Sequence, residues 1–165
     1  MIQNVKICLF CACLVSLFIT CVDAPNFGIA PEIQFVSISK DTLDQGVFQE
    51  DSLTVVFSFT DGDGDLGDEA NSGQSNVFFI DSRTDFQDNT FRIPFIPKEG
   101  TANGIEGTVR ISLFSTCCIF PNGADPCTVS AEFPYDTVQY KIFIQDRAGH
   151  MSNEIFTDPI ILRCN

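Results

Sequence analysis

From residue 32 to the C-terminus the apolar residues recur with a period of two, and no useful length of chain carries the period of an amphipathic helix. The clearest case is "SLTVVFSF", residues 52–59, which sets Leu53, Val55, Phe57 and Phe59 on one face. "EIQFVSIS" (32–39) and the short apolar "NVFFID" (76–81) follow the same rule. "TFRIPFI" (90–96) gathers Phe91, Ile93 and Phe95, and its Pro94 marks an edge strand because proline cannot donate to a ladder. "GTVRISLF" (107–114) points Val109, Ile111 and Leu113 inward. "TVQYKIFIQ" (137–145) points Val138, Tyr140, Ile142 and Ile144 inward, with Gln139, Lys141 and Gln145 outward. "NEIFTDPIILR" (153–163) closes the set, with a break or an edge at Pro159. Seven such segments, separated by Gly, Asp, Asn and Pro, predict an all-β domain. The economical arrangement is an antiparallel β-sandwich of immunoglobulin-like type with a Phe-rich core; a jelly roll satisfies the same pattern.

The N-terminus obeys other rules. Lys6 precedes an uncharged apolar run from Ile7 to Thr20. Its length suits a signal peptide and falls short of the roughly 20 residues a spanning helix needs. "LFITC", residues 17–21, resembles the lipobox of bacterial lipoproteins, with Cys21 as the lipidated first residue of the mature chain. Thr20 stands where Gly, Ala or Ser is usual, and an ordinary cleaved signal peptide is the other reading. The expected organisation is a signal peptide over 1–20, a lipidated Pro- and Gly-containing linker over 21–31, and the sandwich over 32–165. Cys8, Cys11 and Cys13 mimic metal-ligand spacing but fall in the targeting segment. The full chain has 9 basic and 22 acidic residues; without Lys6 the mature chain carries a formal charge of −14. Such a surface excludes nucleic acid as a partner, since phosphate contacts need clustered Lys and Arg. The expected location is the cell envelope, at the outer membrane or cell surface, held by acyl chains.

The densest chemistry lies in "FSFTDGDGDLGDEANSG", residues 57–73, where Asp61, Asp63, Asp65, Asp68 and Glu69 crowd nine positions. Carboxylates at i, i+2 and i+4 share a side of an extended chain, and a curl at Gly62 and Gly64 lets them converge. Calcium takes six to eight oxygens, and three Asp with Asp68 or Glu69, a carbonyl and water would supply them; magnesium demands tighter octahedral geometry. The loop is not an EF-hand: Leu66 sits where glycine is required and Ser72 where the bidentate Glu belongs. A bare acidic turn is the competing reading. In an immunoglobulin-like sandwich the loop after the second strand and the loop before the last share one end, which would bring Asp146 to the acidic loop.

Cys117, Cys118, Cys127 and Cys164 remain in the mature chain. Export favours oxidation. A bond between adjacent Cys117 and Cys118 is strained, so Cys127 is expected to pair with one of them and Cys164 with the other; a four-cysteine zinc site is the rival. His150 is the only histidine and falls in a predicted hairpin turn. There is no G-x-S-x-G elbow, GxGxxG or Walker A pattern, and the acids crowd one loop instead of flanking a cleft. The expectation is therefore a non-enzyme. "DTL" (41–43), "DSL" (51–53) and "DTV" (136–138) resemble O-glycan acceptor sites of exported Bacteroidota proteins and equally mark turn-to-strand entries.

"YKIFIQDRAGHMSNEIFTDPIIL", 140–162, resembles the closing hairpin of bacterial immunoglobulin-like domains, with His150 in the turn where Asn is usual. Together with "FSFTDGDGDLGD" it is similar to small surface lipoproteins of the Bacteroidota, a group without one defined activity. The resemblance implies an immunoglobulin-like module of the envelope. The functional expectation is a lipid-anchored interaction or scaffold module with a structural calcium loop. The alternative is a glycan- or peptide-binding accessory protein of a surface uptake system.

Overall fold

The computed structural model describes residues 26–46, 50–97 and 104–165. The expected signal peptide, Cys21 and the first part of the linker lie outside the described residues. The elements are β1 (Glu32–Ile38), β2 (Thr42–Asp44), β3 (Ser52–Asp61), β4 (Val77–Asp81), β5 (Phe86–Phe91), β6 (Ile105–Phe114), β7 (Tyr135–Val138), β8 (Tyr140–Ile144), β9 (Ile155–Phe156) and β10 (Ile160–Arg163). The domain is all-β, as the period-two pattern predicts, and contains no helix among the described residues.

One sheet has the order β1-β3-β6. The others are β2-β10-β7 and β5-β4-β8-β9. The last two join into one layer, because β7 and β8 are a single run interrupted at Gln139 and β9 and β10 are separated only by residues 157–159. Thr157 bridges the interruption: its backbone N–H donates to the Tyr140 carbonyl at 3.0 Å, and its hydroxyl accepts from the Tyr140 N–H at 3.0 Å. All pairings are antiparallel except β2 with β10.

The inward faces meet in one core. Ile33, Leu53, Val55, Phe57, Phe59, Ile111 and Leu113 come from the first layer; Val77, Phe79, Val138, Tyr140, Ile142, Ile144, Ile160 and Leu162 come from the second. Phe79 packs edge-on against Phe91 and Tyr140, with centroids 5.3 and 5.9 Å away. Burying each large aliphatic or aromatic side chain contributes about 1.5–3 kcal/mol, and this holds the layers together against chain entropy.

Two strand expectations are corrected. The segment expected as a strand over 90–96 stays in the ladder with β4 only up to Phe91, with an isolated parallel bridge from Pro94 to Asp68 beyond it, and β5 begins earlier, at Phe86. Beyond Phe91 the chain leaves the ladder: Pro94 has no N–H, and the backbone of Ile93 is taken by the Asn76 side chain instead. Ile93 still reaches the core, while Phe95 is exposed. The three-residue β2 was not expected as a strand of its own; it exists because β10 offers it a parallel edge.

Cys117 stands at disulfide-bonding distance from Cys127 (Cα–Cα 4.6 Å) and Cys118 from Cys164 (5.9 Å). The second pair ties the end of β10 to the long β6–β7 connection. At this end of the sandwich Arg83 is clasped between two acids. Its Nη2 and Nε bond Asp81 at 2.6 and 3.0 Å, and its Nη1 bonds Asp136 at 2.6 Å and the Cys117 carbonyl at 3.0 Å.

Candidate metal site

The inward alternation of β3 does not stop at Phe59. Two residues later it delivers Asp61, which is fully buried. On β8 the series Tyr140, Ile142, Ile144 continues to Asp146, only 6% exposed. Each layer therefore ends its apolar stripe in a carboxylate at the same end of the sandwich, and the chain beyond Asp61 curls to add Asp63 and Asp65. One carboxylate oxygen from each of Asp61, Asp63, Asp65 and Asp146 lies within 4.8 Å of all the others. Among the described residues this group could hold a metal ion.

The curl has a local cause. Gly64 adopts φ 66°, a region that costs an L side chain strain. Gly62 serves differently: a Cβ there would stand 2.5 Å from the Phe27 carbonyl oxygen and 2.4 Å from that of Gly28. The Gly62 N–H donates to the Gly28 carbonyl at 2.7 Å. The described part of the expected linker is thus docked onto the acidic loop.

Other bonds hold the carboxylates in place. The N–H of the buried Leu66 donates to Asp61 Oδ2 at 3.0 Å. The Arg147 N–H donates to the Asp65 carbonyl at 3.3 Å, and Arg147 Nη1 donates to the carbonyls of Leu66 (3.0 Å) and Gly67 (2.7 Å). The guanidinium also lies 4.7 Å above the Phe95 ring. Arg147 therefore ties the two loops together through carbonyls. Asp146 closes its own turn, accepting the His150 backbone N–H and meeting His150 Nδ1, both at 2.8 Å.

The electrostatics of the two sandwich ends differ. Asp81 also ends an inward stripe, after Val77 and Phe79, but Arg83 neutralises it there. Among the described residues no Lys or Arg forms an ion pair with Asp61 or Asp63. Asp61 Oδ1 and Asp63 Oδ1 are buried without a hydrogen-bond partner among the described residues. Burial first, and then the negative charges of Asp63 and Asp65, push the Asp61 carboxyl up to about 6. The hydrogen bond to Asp146, and then its charge, raise the affinity of His150 for a proton. Oxygens crowded together in this way, with Asp61 Oδ1 and Asp63 Oδ1 unpartnered among the described residues, could hold a metal ion.

Asp61, Asp63, Asp65 and Asp146 thus come together as expected. Asp68 and Glu69, expected as further ligands, are not in the group. Asp68 Oδ2 instead accepts from Asn76 Nδ2 at 2.9 Å, and Glu69 is exposed. Sequence reasoning passed over Asn76, which is buried and clamps the Ile93 backbone through both amide atoms. His150, placed by the sequence in a turn, is exposed there, and its ring also bonds Asp146, which the sequence did not announce. When the chain is compared with known proteins, no family model, no curated protein and no solved structure matches it.

Proposed function

We propose that this chain is a lipid-anchored interaction or scaffold module of the cell envelope, whose sandwich is completed at one end by a structural calcium ion. The observation that carries the calcium reading is the convergence of four carboxylates from both layers, with Asp61 wholly buried and its Oδ1 unpartnered among the described residues. Asp61, Asp63, Asp65 and Asp146 would hold the ion. Its charge would replace the mutual repulsion with attraction and join the β3 end to the β8 end. Calcium's tolerance of irregular, oxygen-rich shells favours it over magnesium.

The strand order supports reading the fold as immunoglobulin-like: β1-β3-β6 faces a layer of β2, β9–β10, β7–β8, β4 and β5, with β2 running parallel to the last strand. The apolar run ending at Cys21 supports the anchor. An interaction role fits better than ligand capture. A groove of about 630 Å³ on the outer face of β1-β3-β6 is lined by Phe27 and the largely buried Phe59 among Ser, Thr, Gln and Glu residues, which is not an aromatic platform for sugars. The test is thermal unfolding of the purified protein with calcium and with a chelator, beside an Asp61→Asn, Asp63→Asn, Asp65→Asn variant. Calcium is expected to raise the wild-type midpoint and leave that of the variant unmoved; an unmoved wild type refutes the reading.

A further inference from the structure

Strand β6 is the outer strand of its sheet, and among the described residues no strand pairs with its other side. The other outer strands are blunted. β1 carries a bulge between Phe35 and Ser37, β2 has three residues, and β5 shifts register against β4. β6 is ten residues long and pairs with β3 without a break. Alternate N–H and C=O groups of such a strand point away from its neighbour, and a long regular edge of this kind is a template for another chain.

The outward side chains of β6 say which chain. Glu106, Thr108 and Arg110 are exposed in sequence along it. Within the sheet Glu106 faces Thr60 and Arg110 faces Val56, so neither charge is answered on β3. Neither side chain has an ion pair among the described residues. The two charges stand equally far from Thr108, and this makes the strand complementary to itself.

We propose that β6 pairs antiparallel with β6 of a second copy of this chain, about a two-fold axis at Thr108. Glu106 of each copy then lies directly opposite Arg110 of the other, and Ile105 lies opposite Ile111 on the inner face. Registers centred on Glu106 or Arg110 put like charges opposite each other, and those centred on Gly107 or Val109 leave both charges unmatched. A slip that mixes faces would turn apolar side chains outward. Beside this edge runs a groove of about 480 Å³ lined by Ile93, Phe95, Ile96, Val109 and Ile111. The pairing sets the grooves of the two copies end to end and shields their apolar walls. The two Glu–Arg pairs also offset, at the contact itself, the repulsion between two chains of charge −13 each.

The test uses the full-length protein carrying Thr108→Cys, treated with a short bis-maleimide, which joins two thiols through thioethers, and run on denaturing gels. Wild type and Thr54→Cys, on the adjoining strand, serve as controls. Thr108→Cys is expected to give crosslinked dimer well above both. Adding Glu106→Arg or Arg110→Glu makes both pairs repulsive and is expected to lower the dimer yield by roughly tenfold, because like charges directly opposite destabilise a strand pair. The double swap Glu106→Arg, Arg110→Glu restores the pairing and is expected to restore the yield. All four positions face outward, and circular dichroism of each variant checks that the fold is unchanged. Dimer yield from Thr108→Cys no greater than from Thr54→Cys overturns the proposal, as does a double swap no better than either single change.

Discussion

Replacing Asp61 by Asn should stabilise the metal-free protein and remove its response to calcium. The carboxyl of Asp61 is raised from an ordinary 3.8 to about 6, chiefly by burial and then by its neighbours' charges. A carboxyl raised on folding favours the folded state while protonated. Its contribution is therefore complete below the unfolded value near 4 and is lost as pH rises through about 6. A shift of about two units at roughly 1.4 kcal/mol each is on the order of 3 kcal/mol of destabilisation at pH 8. Coulomb repulsion gives the same scale: at up to 4.8 Å each charged pair opposes folding by about 1–4 kcal/mol, depending on local dielectric. Asn keeps an oxygen for the Leu66 N–H and adds donors toward the Asp63 carboxylate, so little native bonding is lost. In chelator at pH 8 the variant should melt roughly 5–10 °C above wild type for a domain of this size. At pH 4 the difference should shrink toward zero. In calcium at a hundred times its dissociation constant, wild type should gain about 2.7 kcal/mol and the variant little, so their order narrows or inverts. Thermal unfolding followed by circular dichroism, with the disulfides left oxidised, measures both proteins under all three conditions. A variant less stable than wild type in chelator at pH 8, or an equal calcium response in both proteins, refutes the reasoning.

Replacing Arg83 by Met leaves Asp81 and Asp136 without their shared cation, and Asp81 is 5% exposed. Urea unfolding should show a loss of about 3–5 kcal/mol, largely recovered by adding Asp81→Asn. Removing the Cys118–Cys164 pair, 46 residues apart, should cost about 4 kcal/mol, against about 3 for Cys117–Cys127, 10 apart; the ranking by chemical denaturation checks the loop-entropy account. Changing Gly62 to Ala drives a methyl into the carbonyls of Phe27 and Gly28. Limited proteolysis should then cut around residues 26–31 faster than in wild type, with a stability loss of about 1–3 kcal/mol.

Much of the site could be read along single strands. The parity that buries Leu53, Val55, Phe57 and Phe59 also assigns Asp61 to the inside, and the parity of Tyr140, Ile142 and Ile144 does the same for Asp146. The loop glycines announced the curl. Asp68 and Glu69 looked equal to the other acids because spacing counts charges without seeing which way the chain leaves; the Asn76 amide, donating to the Asp68 carboxylate, and the Ile93 carbonyl, accepting the Asp68 N–H, draw Asp68 aside. The Arg83 clasp was illegible, since Asp136 lies 53 residues away and only the stacking of strands brings it near.

Periodicity, turn residues and cysteine placement are local properties, and they alone determined an all-β domain, the faces of its long strands and an acidic loop after the second long one. Which carboxylates share a centre, where the strand near Pro94 stops, which cysteine faces Cys164 and that a three-residue strand pairs in parallel were decided by the packing of distant segments. The reason is physical: side-chain direction follows from the backbone of each residue's own strand, whereas distances between strands exist only once the two layers have closed over a common core.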